Sequence, residues 1–265
     1  MNAEQYTTLH NEMKFNKGRI PRSLPENTIV VFGSNTAGWH GAGLARECKE
    51  YHGAIYGKGQ GLQGQSYAIP TREPDPSKPK PALRTLPLNK IAQYVQIFVK
   101  GVLLLQTAVM PTYIIPQIGC GFAGYNPYQI APMFWELRKH PKVFFNETFN
   151  QVFKEIEYGD GDDKNANGTS RMWRNSFGNP AVGNFITLLS MPNDPDPIPS
   201  GSQGIVERVD IAGDGVQGKK EGQISVKWNT CEPRSLMVLP NVDQFVMGLN
   251  WNHETDVSRY KWYNE

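Results

Sequence analysis

The chain has 265 residues, 39% of them hydrophobic and 20% charged, with a formal net charge of +2. That composition fits an ordinary globular protein of one large domain or two unequal ones, and the charge is too mild to point to nucleic acid or a membrane surface. The longest apolar stretches, 95–105 and 109–115, carry Lys100 and Pro111 and fall short of the ~18 residues of a membrane span.

The first residues, 1–20, form a polar lead-in without a signal-peptide core, so a cytoplasmic setting is expected. Residues 29–32 (Ile-Val-Val-Phe) read as a buried strand that empties into Gly33-Ser34-Asn35. Glycines then surround Trp39 and His40, and a helix is expected over 44–51. A short strand is expected at 54–56, followed by a Gly/Gln loop at 57–65 and a strand at 66–69. Residues 73–81 hold four prolines beside Asp75, Lys78 and Lys80 and read as an exposed loop. Apolar residues at helical spacing (Ile91, Val95, Phe98, Val99, Val102) predict a helix over 89–106. A strand at 112–115 runs into Pro116-Gln117-Ile118-Gly119-Cys120-Gly121, a helix is expected over 128–139, and a strand over 142–145 closes the pattern. Strands alternating with helices argue for a layered α/β domain, here 21–157.

Residues 158–179 are a linker by composition, rich in Gly, Asp, Asn and Lys. Beyond it the helical period disappears. Short apolar runs at 185–191, 204–209, 224–228 and 235–239, separated by Gly, Pro, Asn and Asp, read as a small all-β barrel or sandwich over 180–248, with a tail at 249–265. The run Met191-Pro192-Asn193-Asp194-Pro195-Asp196-Pro197 reads as a rigid turn, since its prolines break any loop able to wrap a calcium. Arg171, Trp173 and Arg174 read as a tether with an anchoring tryptophan, or as a nucleic-acid contact. Trp228 reads as core.

Two segments carry the chemistry. In each, a strand ends in glycines and a helix follows, so peptide N–H groups point into the turn as they do in an anion cradle. In an open α/β sheet ligands sit outside the carboxyl ends of the strands, where two such loops can clamp one phosphate-bearing ligand. His40 is the best titrating candidate in the first loop; it reads either as a proton-exchanging group or as a histidine hydrogen-bonded to loop carbonyls. Asn35 reads as an orienting amide or a turn residue. Arg72 and Glu73 follow the strand near Thr71 and can reach the same edge. Cys120 reads as packing, because a nucleophilic thiolate needs a base partner. Gln60, Gln63 and Gln65 offer amides for a base edge or a ribose, or belong to a solvated flap. Trp39 reads as an apolar lid or a loop anchor. His10, His52, His140 and His253 are scattered. Cys48, Cys120 and Cys231 sit too far apart for a disulfide framework or a metal spacing, so neither metal nor cofactor is assigned.

Gly33-Ser34-Asn35 with His40-Gly41-Ala42-Gly43-Leu44-Ala45, and later Ile118-Gly119-Cys120-Gly121 with Gly124-Tyr125, resemble the two ligand loops of macrodomains. These are three-layer α/β/α modules that bind ADP-ribose, and the Ile-Gly-Cys-Gly tetrapeptide is similar to the second loop of the deacylating and ADP-ribose-phosphate-processing branch. The resemblance covers about residues 20–155. It implies that Asn35 lies beside the distal ribose and that His40, Gly41, Ala42 and Gly43 line the first loop, with Gly33 and Ser34 at its start. It further implies that Ile118, Gly119, Cys120, Gly121, Phe122, Ala123 and Gly124 present the second loop to the phosphates, that Tyr125 packs over the distal sugar, and that Phe145 flanks the adenine. Two features depart from the family pattern. No Gly-Asp-Ile run is present to recognise the adenine amine, and Phe122-Ala123 stand where members that cleave acyl-ADP-ribose often have an acidic residue. The stretch 180–248 resembles a small SH3-like barrel found in phage and bacterial proteins.

The expectation is therefore a three-layer α/β/α macrodomain-like domain followed by a small all-β SH3-like barrel. Its partner would be ADP-ribose or a related NAD-derived nucleotide. Either an ADP-ribosyl adduct or ADP-ribose-1″-phosphate would be hydrolysed, with Asn35 and His40 positioning and activating water, or the nucleotide would only be sequestered. The company of the barrel suggests a phage protein acting in the host cytoplasm. A weaker alternative is an adaptor acting through the barrel.

Overall fold

The computed structural model describes residues 20–105, 110–158, 182, 185–212, 221–229, 234–238 and 243–247. The expected lead-in except Ile20, almost all of the expected linker with Arg171, Trp173 and Arg174, the tail, His10, His253 and Cys231 lie outside them. The chain divides into two compact units that interleave along the sequence. One is drawn from residues up to 87 with 94–127 and 137–150; the other from 88–93, 128–136 and 151 onward.

The first unit is built on a six-stranded mixed sheet: β1 (Thr28–Asn35), β2 (Gly61–Gln63), β3 (Ser66–Pro74), β4 (Leu83–Thr85), β5 (Thr112–Ile115) and β6 (Val143–Phe145). The order is β2-β3-β1-β5-β6, with β4 paired to β3. β3, β1, β5 and β6 are mutually parallel, and β2 and β4 run antiparallel to β3. β1 is central and buried on both faces, which is why it reads as an unbroken apolar run. Helix α1 (Gly43–Tyr51) turns Cys48, Leu44 and Ala45 to the face that carries Val30, Phe32, Ala68 and Ile114. Helix α2 (Leu88–Leu104) sets Phe98 between Tyr67 and Tyr113, at ring centroid distances of 4.8 and 5.4 Å. Those tyrosines are register partners of Val31 and Ile29, which alternate with Val30 and Phe32 and so face the other way. A helix thus covers each face of the sheet.

The expected strand at 54–56 does not form. The Ile55 N–H is taken by the Gln63 side chain at 2.6 Å, and Ala54 N–H returns to the Cys48 carbonyl. The edge strand is instead β2, inside the expected Gly/Gln loop. The helix expected over 128–139 breaks into α3 (Pro127–Ile130) and a 3-10 helix (Ala131–Leu137). Pro132 has no N–H to give to the carbonyl of Tyr128, so α-helical bonding stops there. Helix α4 (Glu147–Tyr158), absent from the expectations above, is capped by Asn146, whose side-chain oxygen accepts from Phe149 N–H at 3.1 Å.

The second unit holds a five-stranded antiparallel sheet of β7 (Phe185–Ser190), β8 (Gln203–Ala212), β9 (Glu221–Trp228), β10 (Arg234–Val238) and β11 (Gln244–Met247), in the order β10-β9-β8-β7-β11. Its core gathers Ile186, Leu188, Val206, Val226, Phe245 and the fully buried Trp228. A side chain at Gly204 would collide with Trp228 and Val226, so glycine there makes room for the indole. Ser200 ties the same unit's 3-10 helix to the sheet, sharing its one hydroxyl proton between the Leu189 carbonyl at 2.6 Å and the Glu136 carboxylate at 3.1 Å. The aspartate-proline run forms a turn, in which Asp196 N–H donates to the Asp194 carboxylate at 2.8 Å. Among the described residues no helix is long and apolar enough to cross a membrane.

Candidate functional site

The order in which the strands are added reverses beside β1. From β1 the path moves to β3 on one side, while β5 leads to β6 on the other. Loops leaving neighbouring strands in opposite directions open a crevice at their carboxyl ends. A cleft of about 330 Å³ lies at that point in the first unit, at the lower end of the range for small-molecule sites.

The first wall comes from β1 and the loop after it: Gly33, Ser34, Asn35, Trp39, Ala42, Gly43, Leu44 and Ala45. Asn35 shapes this loop with its side chain, donating from Nδ2 to the Trp39 carbonyl at 3.1 Å and accepting the Trp39 N–H at 3.0 Å. Ala42, the N-cap of α1, offers no side-chain bond, and the first turn of α1 contains no acidic residue. The first N–H groups of the helix therefore lack an intrahelical or side-chain partner, and the residues that carry them line the cleft.

Pro116, Gln117, Ile118, Gly119, Gly121, Phe122 and Ala123 form the second wall. The loop holds itself in place through Tyr125 N–H to Gly119 O at 3.1 Å and Gly124 N–H to Gly121 O at 2.9 Å. Gly119 and Gly124 have φ of +74° and +77°, which L side chains rarely adopt. The two loops meet, since a Cβ at Gly43 would lie 3.1 Å from the Phe122 ring.

Thr71 and Arg72 of β3, with Leu83 of β4, complete the lining. The β1–β3 register shifts between Ser34 and Asn35, and this irregularity lets two consecutive residues of β3 reach one cleft. Arg72 is the one charged side chain in the lining. It forms no ion pair among the described residues, and its Nη2 donates to the Leu83 carbonyl at 2.6 Å.

The cleft brings together Gly33, Ser34, Asn35, Ala42, Gly43, Ile118, Gly119, Gly121, Phe122 and Ala123 from the expected set. Others lie elsewhere. His40 is fully buried behind the wall, with Nε2 2.9 Å from Ser34 Oγ and its ring edge-on to Phe32. Gln63 is buried and spends its amide on Ile55, Lys58 and Gly61; Gln65 donates to the Pro25 carbonyl. Tyr125 donates its hydroxyl to the Leu86 carbonyl at 2.7 Å. Phe145 is buried on β6, so it does not flank a ligand in this cleft. Gly41, Cys120 and Gly124 are likewise outside the lining. Burial pushes the Cys120 thiol up to about 12, which keeps it protonated at neutral pH. Arg72, read from the sequence as able to reach this edge but not counted among the ligand-binding residues, lines the cleft together with Thr71, whereas Glu73 does not.

Burial also holds His40, His52 and His140 below the ordinary imidazole value near 6.5; the Lys49 charge adds to this at His40, while Glu47 opposes it at His52. Unfolded, each takes up its proton at higher pH than when folded. Their stabilising contribution is thus present above about pH 6.5 and is lost as pH falls through the lower folded values. The urea midpoint is expected to drop between pH 7.5 and 5.5, and to drop less in His52→Gln. A midpoint that holds or rises on acidification contradicts this.

The chain matches no family model, no curated protein and no solved structure. Fold and site together define a mixed α/β protein with a cleft at the carboxyl edge of its sheet, lined by two glycine loops and Arg72, and with a separate antiparallel sheet.

Proposed function

We propose that the first unit is a macrodomain-like module that binds an ADP-ribose-type nucleotide, holding its diphosphate between the two glycine loops, and that it acts as a binder. The observation that carries this reading is Arg72, a cation without a carboxylate partner among the described residues, in a cleft lined by the start of α1 and by the second glycine loop. Backbone N–H groups and one guanidinium converging on a small concave site favour phosphate oxygens. The described lining contains no Asp, Glu or His, so hydrolysis has no exposed acid or base to draw on there. A sponge for a NAD-derived signal fits this chemistry, and an SH3-like accessory module is the reading of the second unit that its small antiparallel sheet around Trp228 supports.

Calorimetric titration with ADP-ribose, with product followed by chromatography, tests the proposal. Saturable binding without turnover is expected, weakened about tenfold in Arg72→Gln, the equivalent of roughly 1.4 kcal/mol. Hydrolysis at a catalytic rate would overturn the binder reading. Absence of any binding would overturn the ligand.

A further inference from the structure

His40 and Ser34 form a buried pair with an unusual imbalance. Nε2 of His40 lies 2.9 Å from Ser34 Oγ, whereas Nδ1 is buried with no hydrogen-bond partner. Ser34 lines the cleft and His40 does not. Apart from the imidazole, Ser34 Oγ has one hydrogen-bond partner among the described residues, the Asn35 carbonyl, to which it donates across a long 3.3 Å.

A neutral imidazole carries one N–H, so two arrangements are available. With the hydrogen on Nδ1, a buried donor has no acceptor, and Ser34 turns its own proton inward to Nε2. With the hydrogen on Nε2, the unmatched atom is only a lone pair. Buried orphan N–H groups are the rarer and costlier case. The second arrangement is therefore favoured, and in it Nε2–H donates to Ser34 Oγ, so the serine proton, held only by the long 3.3 Å bond to the Asn35 carbonyl, can turn to an acceptor in the cleft that Ser34 lines.

We propose that His40 is a positioning residue, held as the Nε2–H tautomer, that turns Ser34 into a hydrogen-bond donor for an anionic oxygen of the bound nucleotide. The proposal rests on the nucleotide-binding reading above. It also separates the pair from a serine–histidine hydrolase, because an imidazole already protonated on Nε2 has no lone pair there with which to take the serine proton. Asn35 does not substitute for Ser34, since its amide is engaged with Trp39.

Two measurements on the full-length protein decide the matter. Nitrogen-15 NMR of histidine-labelled protein at pH 7.5, without ligand, is expected to show His40 protonated on Nε2 and bare on Nδ1. The opposite tautomer overturns the proposal whatever the protein binds. ADP-ribose titration should show Ser34→Ala and His40→Leu weakening binding by similar factors, about five- to thirtyfold. His40→Gln, whose amide N–H reaches the position of Nε2, should recover most of that loss, and the Ser34→Ala/His40→Leu double variant should be no weaker than Ser34→Ala. Wild-type affinity in His40→Leu, no recovery in His40→Gln, or additive losses each defeat the inference while leaving nucleotide binding intact. A wild-type protein that ignores ADP-ribose instead removes the reading on which the donor role rests, and the NMR result still reports the tautomer.

Discussion

Gly121→Glu is expected to weaken ADP-ribose binding at least about a hundredfold while leaving the fold intact. Gly121 lines the cleft, and a Cβ built on it meets no atom within 4 Å, so a longer side chain enters open space without moving the backbone. The carboxylate would stand among N–H groups meant for phosphate and would oppose the charge of Arg72. Juxtaposed like charges cost several kcal/mol, and each 1.4 kcal/mol is about tenfold in affinity. Gly121→Gln, with equal bulk and no charge, should lose only about tenfold. Calorimetry gives the affinities, and a thermal melt within about 2 °C of wild type shows that folding is unaffected. Unchanged affinity in Gly121→Glu would remove the second glycine loop from the binding site.

The largest expected effect on stability lies at Gly59. A Cβ there would fall inside contact distance of the Asn35 carbonyl oxygen and of the Thr36 backbone, and Gly38 opposite is blocked in the same way by Gly57 and Lys58. Both obstacles are main chain, which cannot swing aside as a flexible side chain would. Gly38 also sits at φ +68°. Overpacking typically destabilises by about 1–3 kcal/mol, and a main-chain obstacle puts Gly59 at the upper end, whereas a left-handed backbone alone costs an L residue roughly 1–2 kcal/mol. Gly57→Ala supplies the comparison, since its φ is +88° but no atom lies near its Cβ position. Urea unfolding should therefore rank Gly59→Ala well below Gly57→Ala. Equal stabilities would mean that the 35–40 and 57–60 loops do not pack as described. The same contact supports the cleft, because Asn35 sets the course of the chain to Trp39.

Much of the fold was legible where one strong pattern acted alone. The apolar run of β1, the glycine boundary before α1 and the Thr112–Ile115 strand appear where the residues put them. The loops after β1 and β5 were also readable, because glycine clusters after strands have few structural uses. What escaped depended on contacts distant in sequence. The Gln63 side chain bonds the Ile55 N–H and so withdraws it from strand pairing, which nothing near residue 55 announces. Pro132 was visible, but its effect is to convert a helix to 3-10 geometry rather than to end it. Helix α4 was missed although Phe149, Val152, Phe153 and Ile156 repeat at helical spacing after the Asn146 cap. In the site, His40 was expected to face the ligand because it stands among glycines. Its ring instead packs against Phe32, whose neighbourhood becomes apparent only when the sheet is assembled. Arg72 reaches the cleft through a register irregularity between strands, a property of a pair that neither strand displays by itself.

The interleaving of the two units bears on how the chain is made. Residues 128–136 contribute Ile130, Met133, Phe134 and Trp135, all fully buried, to a unit whose strands begin only at Phe185. During translation at about 5–20 residues per second, this oily segment leaves the ribosome several seconds before its sheet exists. Nascent chains released early would carry Met133 without the Gly201 turn that packs against it, a ready target for chaperones and a nucleus for aggregation.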